Sequence, residues 1–209
     1  MKRILCFGDS NTFGYKPDRS GRFDKNTRWT GLLSNSLKDN FTIIEDGLCG
    51  RTVALDDPFC DGRNGLKSIG NSVRENSPID LLIIMLGTND LKAFYGMNAK
   101  KIAENCGKLI DKALDSCENP STMKILLVSP ILLGKNILAI NSAYNTQSVT
   151  ASHLLSKEFK ALAEEKNCYF LAAENYAKTS DLDCEHMSSE EHKKLAVAIE
   201  RKIREIFQK

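Results

Sequence analysis

The stretch Leu81-Leu82-Ile83-Ile84-Met85-Leu86-Gly87-Thr88-Asn89-Asp90 runs six apolar residues directly into a polar, turn-forming end. A strand with one wet face alternates apolar and polar side chains, so an unbroken run reads as a strand buried on both faces. Four more runs share this character: Arg3–Gly8, Phe41–Glu45, Ile125–Val128 and Tyr169–Ala172. Segments of helical period lie between them, near 28–39, 64–77, 98–117 and 141–166. A last helix carries the stripe Leu195, Ile199, Ile203 and Ile206, with Ser188 and Glu191 at capping-box spacing before it. Strand and helix in alternation predict an α/β fold, a parallel sheet with helices on both faces. In such sheets ligands bind outside the carboxyl ends of the strands. The loops 8–27, 46–62, 87–97, 129–140 and 173–187 are therefore where function is sought.

The rest of the composition narrows the classes. A length of 209 residues suits a single domain over 1–209, with no repeat, low-complexity tract or linker. With 42% hydrophobic residues and 29 basic against 27 acidic side chains, a wholly disordered chain is excluded. A net charge of +2 supplies no basic stripe, so no nucleic-acid partner is expected. No run approaches the roughly 18 apolar residues that cross a bilayer, so no membrane partner is expected either. The apolar stretch Ile4 to Phe7 is too short for the roughly 7–15 residues of a signal-peptide core, and Asp9 follows at once. It reads as a core strand, and the cytoplasm is the expected location. Seven cysteines at 6, 49, 60, 106, 117, 168 and 184 include no Cys-x-x-Cys pair and cannot all pair. They read as reduced structural thiols, and no metal site is expected.

Three strand-end loops hold residues suited to nucleophilic chemistry. Gly8-Asp9-Ser10-Asn11 follows the first run; a tight turn there lifts the Ser10 hydroxyl clear of the sheet. Taken alone the tetrapeptide reads better as a helix N-cap. Gly87-Thr88-Asn89-Asp90 is a turn by composition, but the Asn89 amide can aim N–H donors into the same crevice. Asp183-Cys184-Glu185-His186 precedes the last helix, and Asp183 can fold back to fix the tautomer of His186. The other histidines, His153 and His192, lie in helical patterns and read as structural or surface groups. Gly47-Leu48-Cys49-Gly50-Arg51-Thr52 adds a glycine able to present a backbone N–H, and an equal, structural reading has Arg51 bracing the loop by pairing with an acid such as Asp9 or Asp56.

Together these blocks resemble the SGNH (GDSL-type) hydrolases. The matching residues are Ser10 in Gly-Asp-Ser-Asn, Gly50, Asn89 in Gly-Thr-Asn-Asp, and His186 in Asp-x-x-His. Arg28-Trp29-Thr30, Gly50-Arg51-Thr52, Asp56-Asp57-Pro58 and Ile83 to Asp90 look like the arylesterase/acyltransferase branch. The resemblance implies a flavodoxin-like three-layer α/β/α sandwich on a five-stranded parallel sheet. It also implies a serine esterase acting on small acyl esters, acetyl esters foremost, or transferring the acyl group. Ser10, His186 and Asp183 would form the catalytic set, with Ser10, Gly50 and Asn89 as the oxyanion hole. Asp9 and Asp90 would brace the loops, and no cofactor is implied. Phe13, Tyr15, Phe94, Tyr95 and Ile131–Leu133 are the candidate substrate contacts, ordinary loop packing being an equal reading. Several members of the branch self-associate, which makes a homo-oligomer an expectation.

Two departures from the family pattern stand beside His186: Cys184 and Glu185 occupy positions usually held by Gly and an aliphatic residue. A Glu185 carboxylate near the ring would favour the imidazolium and move the active pH range upward. Rival readings are a carbohydrate O-acetyl esterase and a catalytically inactive binding module of the same fold. An α/β-hydrolase is disfavoured because no Gly-x-Ser-x-Gly elbow occurs. A nucleotide-binding fold is disfavoured because the first strand leads into neither Gly-x-Gly-x-x-Gly nor a P-loop.

Overall fold

A computed structural model describes residues 1–208. The five apolar runs form strands β1 (Lys2–Gly8), β2 (Phe41–Gly47), β3 (Leu81–Met85), β4 (Lys124–Ser129) and β5 (Tyr169–Ala172). All pair in parallel, in the order β2-β1-β3-β4-β5. The helices are α1 (Ser10–Phe13), α2 (Trp29–Ser36), α3 (Gly65–Asn76), α4 (Ala99–Asp115), α5 (Ile137–Ile140), α6 (Thr146–Glu165) and α7 (Ser189–Gln208). The chain leaves β1 for the edge strand β2 and returns to β3 on the other side of β1. That reversal of strand order opens a crevice between the ends of β1 and β3.

Each strand serves two cores because successive side chains point to opposite faces. On one face Leu5, Phe7, Leu82, Ile84 and Leu127 pack against Ile69 of α3, Ile102 and Leu109 of α4, and Leu155 and Phe159 of α6. On the other Ile4, Cys6, Leu81, Ile83 and Leu126 meet Trp29 and Leu33 of α2 and the α7 stripe Leu195, Ile199, Ile203 and Ile206. Every one of these side chains is buried. At roughly 1.5–3 kcal/mol for each fully buried large apolar side chain, both faces of the sheet are covered for a reason. No helix among the described residues is long and apolar enough to cross a membrane.

Two helix boundaries differ from the sequence expectation. The 141–166 pattern becomes a helix only at Thr146, because Asn145 accepts the Ser148 N–H while the Ser148 hydroxyl accepts the Asn145 N–H. This reciprocal cap halts the helix on its amino side. Ahead of α7 only half of the expected box forms. The Ser188 hydroxyl accepts the Glu191 N–H at 3.4 Å, but the Glu191 carboxylate turns to the Lys178 N–H and the Lys194 ammonium instead.

His192, in the first turns of α7, is fully buried. Its Nδ1 accepts the Trp29 N–H at 3.3 Å, and its Nε2 has no partner among the described residues. Burial, reinforced by the charge of His186, lowers its pKa from the ordinary 6.5 to about 4. Between those values the unfolded chain binds a proton that the native state refuses, so stability is lost as pH falls from 6.5 toward 4. His192→Asn keeps an acceptor for Trp29 and cannot titrate. Urea unfolding at pH 7.5 and 5 should show the wild type losing about 2 kcal/mol more than this variant. Parallel losses would contradict the account.

Candidate active site

The site starts where β1 stops. A β-carbon on Gly8 would overlap the Thr12 side chain and come within 2.8 Å of the Met85 carbonyl oxygen, so only glycine lets the chain turn here. Asp9 follows in extended conformation, and its carboxylate accepts the Asn11 N–H at 2.9 Å to cap α1. Ser10 therefore opens a short helix at the edge of the sheet. The expected N-cap is present, with Asp9 as the cap and Ser10 as the first residue of the helix.

The second half arrives from the far end of the chain. Asp183 Oδ1 accepts the N–H groups of Glu185 at 3.1 Å and His186 at 2.9 Å, which folds the segment into a tight loop. Its Oδ2 lies 2.6 Å from His186 Nδ1, and His186 Nε2 lies 2.8 Å from Ser10 Oγ, across 176 positions of sequence. An ionised carboxylate can only accept, so Nδ1 carries the ring proton and Nε2 is free to accept from the Ser10 hydroxyl. All three side chains are buried.

Electrostatics sharpens the arrangement. Burial pushes Asp183 up, but hydrogen bonds from the His186 ring and from two backbone N–H groups outweigh it and hold the carboxyl below its usual range. Burial disfavours a charged His186, yet the Asp183 hydrogen bond and the charges of Glu185, Asp183 and Asp9 raise its pKa overall. Desolvation raises Asp9 to about 6 and Asp90 to about 7. Asp90 sits beneath the site, both oxygens 3.0 Å from the Val53 N–H, tying the loop after β3 to the loop after β2.

Ser10 and His186 open onto a cleft of about 180 Å³ whose wall includes Gly50, Asn89 and Tyr15. Gly50 has φ +80°, in the left-handed region, and a β-carbon there would sit 2.6 Å from the Arg63 guanidinium. The Asn89 amide donates one hydrogen to the Arg51 carbonyl at 3.1 Å, which leaves its second hydrogen for an occupant of the cleft. The Tyr15 ring packs 5.0 Å from the His186 ring. The other expected contacts are elsewhere. Phe13 lies under the Arg22 guanidinium, Phe94 packs between Phe59 and Tyr95, and Ile131 and Leu133 are buried in the two cores.

Several expectations need correction or addition. Arg51 does pair with an acid that braces its loop, but the acid is Asp46 rather than Asp9 or Asp56. Its guanidinium bonds Asp46 at 2.8 Å and the Gly8 and Asp46 carbonyls, and it lies over Phe7, while Asp56 takes Lys67. Cys184 is buried in the core with its β-carbon pressed toward Gly134, away from the cleft. Cys49, Arg63 and Lys92 do line the cleft and were not anticipated. Cys49 stands directly before Gly50 in a block already singled out, whereas nothing in their local sequence marks Arg63 and Lys92. Glu185 also lines it, its oxygens held by the Tyr144 hydroxyl at 2.8 Å and the Asn141 amide at 3.2 Å. No cluster of three or more metal-ligating side chains exists among the described residues.

With this geometry in place the relationships to known proteins can be read. Residues 6–192 match the profile of the GDSL-like lipase/acylhydrolase family, and the chain belongs to that family. A carbohydrate acetylesterase from Sinorhizobium meliloti is 34% identical with TM-score 0.92, over 99% of this chain and 100% of its own. A carbohydrate acetylesterase family member from the same organism is 30% identical with TM-score 0.92, over the whole of both chains. The inhibitor-bound M. smegmatis aryl esterase is 32% identical with TM-score 0.91, over 98% of this chain and 99% of its own. No curated protein matches the chain. Family and neighbours together define a carboxylic-ester hydrolase of the SGNH fold.

Because the charge of Glu185 helps to raise the pKa of His186, Glu185→Gln should lower it. Following the His186 ring protons by NMR across pH, the midpoint should fall in the variant, and the low-pH limb of activity should move down with it. An unmoved midpoint would remove Glu185 from the electrostatics of the site.

Proposed function

We propose that this chain is a serine esterase that cleaves small acyl esters, acetyl esters foremost, by way of an acyl-enzyme. The observation that carries the reading is the continuous relay of Asp183 Oδ2 to His186 Nδ1 at 2.6 Å and His186 Nε2 to Ser10 Oγ at 2.8 Å. Ser10 Oγ attacks the ester carbonyl carbon as its proton passes to His186 Nε2. Asp183 holds the ring in the productive tautomer and stabilises the imidazolium. The tetrahedral oxyanion is met by the backbone N–H groups of Ser10 and Gly50 and by the Asn89 amide. Collapse breaks the bond to the alcohol oxygen, which leaves with the proton from His186. Water, activated in turn by His186, releases the acid and restores Ser10; an alcohol in its place would accept the acyl group instead.

The cleft supports a small acyl group. At about 180 Å³ it is smaller than the roughly 300–1,000 Å³ of pockets that take drug-sized ligands, which suits a short acyl group. Among the four aromatic side chains expected to touch substrate, Tyr15 is the one on the cleft wall. A second reading, an esterase for acetylated carbohydrates, is favoured by the two Sinorhizobium meliloti acetylesterases at 30% and 34% identity.

A panel of aryl acetates, longer acyl esters and acetylated sugars should be turned over by the wild type and by none of the Ser10→Ala protein, with the fold intact by circular dichroism. Preference for acetylated sugars over aryl acetates would select the second reading. Full activity in Ser10→Ala would end both. Asn89→Ala should retain the fold and lose about 10²–10³ in kcat, the cost of one oxyanion donor; a change confined to KM would place Asn89 in ground-state binding instead.

A further inference from the structure

The geometry points to Asn11 as a positioning residue for acyl transfer, clamping the two peptide groups that flank His186 and so setting the gap between His186 Nε2 and Ser10 Oγ. Asn11 Nδ2 donates to the Glu185 carbonyl at 3.2 Å, and Asn11 Oδ1 accepts the Met187 N–H at 3.0 Å. One side chain thus holds the backbone immediately before and immediately after the histidine. Apart from the Ser10–His186 contact itself, these are the hydrogen bonds that join the segment 9–14 to the segment 183–187 among the described residues.

The clamp is itself fixed. The Asn11 N–H goes to the Asp9 carboxylate at 2.9 Å, and its carbonyl accepts the indole N–H of Trp29 at 3.1 Å. Trp29 is fully buried between the sheet and α7, so Asn11 is anchored to the core on one side and to His186 on the other. A primary amide supplies a donor and an acceptor from one short planar group; an ionised aspartate lacks the donor and an aliphatic residue lacks both. Asp183 orients the His186 ring, but its bonds stay inside the 183–187 loop and say nothing of how far that loop lies from Ser10. Asn11 ties that loop directly to the segment that carries Ser10. Asn11 is buried, and both ends of its side-chain amide are taken up by the Glu185 carbonyl and the Met187 N–H.

This inference rests on the reading of Ser10 and His186 as nucleophile and base, and the test separates the two. Asn11→Ala, Asn11→Asp, Ser10→Ala and wild type are compared on 4-nitrophenyl acetate, with folding checked by circular dichroism and thermal unfolding. Asn11→Ala should lose about 10²-fold in kcat with KM held within about 2-fold, because the loss is one of alignment. Asn11→Asp, which keeps the acceptor for Met187 and the side-chain volume, should fall between it and wild type. Wild-type kcat in both folded variants would overturn the positioning role, as would collapse of the fold in both, which would make Asn11 a purely structural residue. A wild type that Ser10→Ala matches would instead sink the esterase reading on which the inference stands.

Discussion

A hydroxyl at position 10 and an imidazole at position 186 meet at 2.8 Å, and the proposed chemistry depends on that contact. Neither segment can fix the distance alone. The first is held by β1, a central strand flanked by β2 and β3, and by the turn that only Gly8 permits. The second is held by the Asp183 cap on its own loop and by α7, whose apolar stripe is buried against the sheet. Two rigid bodies therefore converge on one crevice at the switch in strand order. A loose approach of about 1 Å would cost roughly two orders of magnitude in rate.

Three buried carboxylates around this crevice behave differently, because desolvation dominates at Asp9 and Asp90 while hydrogen bonds outweigh it at Asp183. Asp183 faces an imidazole and two N–H groups and is held below the usual range. Asp9 and Asp90 receive fewer hydrogen bonds than their burial demands and are pushed up to about 6 and about 7. Only the first faces the His186 ring, the contact that the proposed mechanism uses; Asp9 bonds the Asn11 N–H beside Ser10, and Asp90 bonds the Val53 N–H in the loop after β2. Glu185 adds negative charge on the cleft wall, anchored by Tyr144 and Asn141 from the connection between β4 and α6.

Much of this was legible in the sequence because buried strands and reactive turns leave local signatures. The unbroken run Leu81 to Leu86 announced a doubly covered strand, and Ser10, Asn89, Asp183 and His186 stood at strand or loop ends where the fold delivers them. What escaped was non-local. The partner of Arg51 proved to be Asp46, at the end of β2, a pairing set by how the loop folds back over Phe7. The expected aromatic rim contracted to Tyr15, since Phe94 found Phe59 and Tyr95 instead. Asn11 read as a generic cap neighbour because its two acceptor and donor partners lie 174 and 176 residues away. Arg63 and Lys92 carried no periodic or motif signal at all.

The account turns on Ser10 being made nucleophilic by His186. Intact-protein and peptide mass spectrometry after exposure to a fluorophosphonate, which acylating serines attack with loss of fluoride, measures this directly. A single phosphonyl adduct on the peptide carrying Ser10 in the wild type, and its near absence in folded His186→Ala, is the expected result. An unmodified protein, an adduct on Cys49, or equal labelling with and without the imidazole would contradict it.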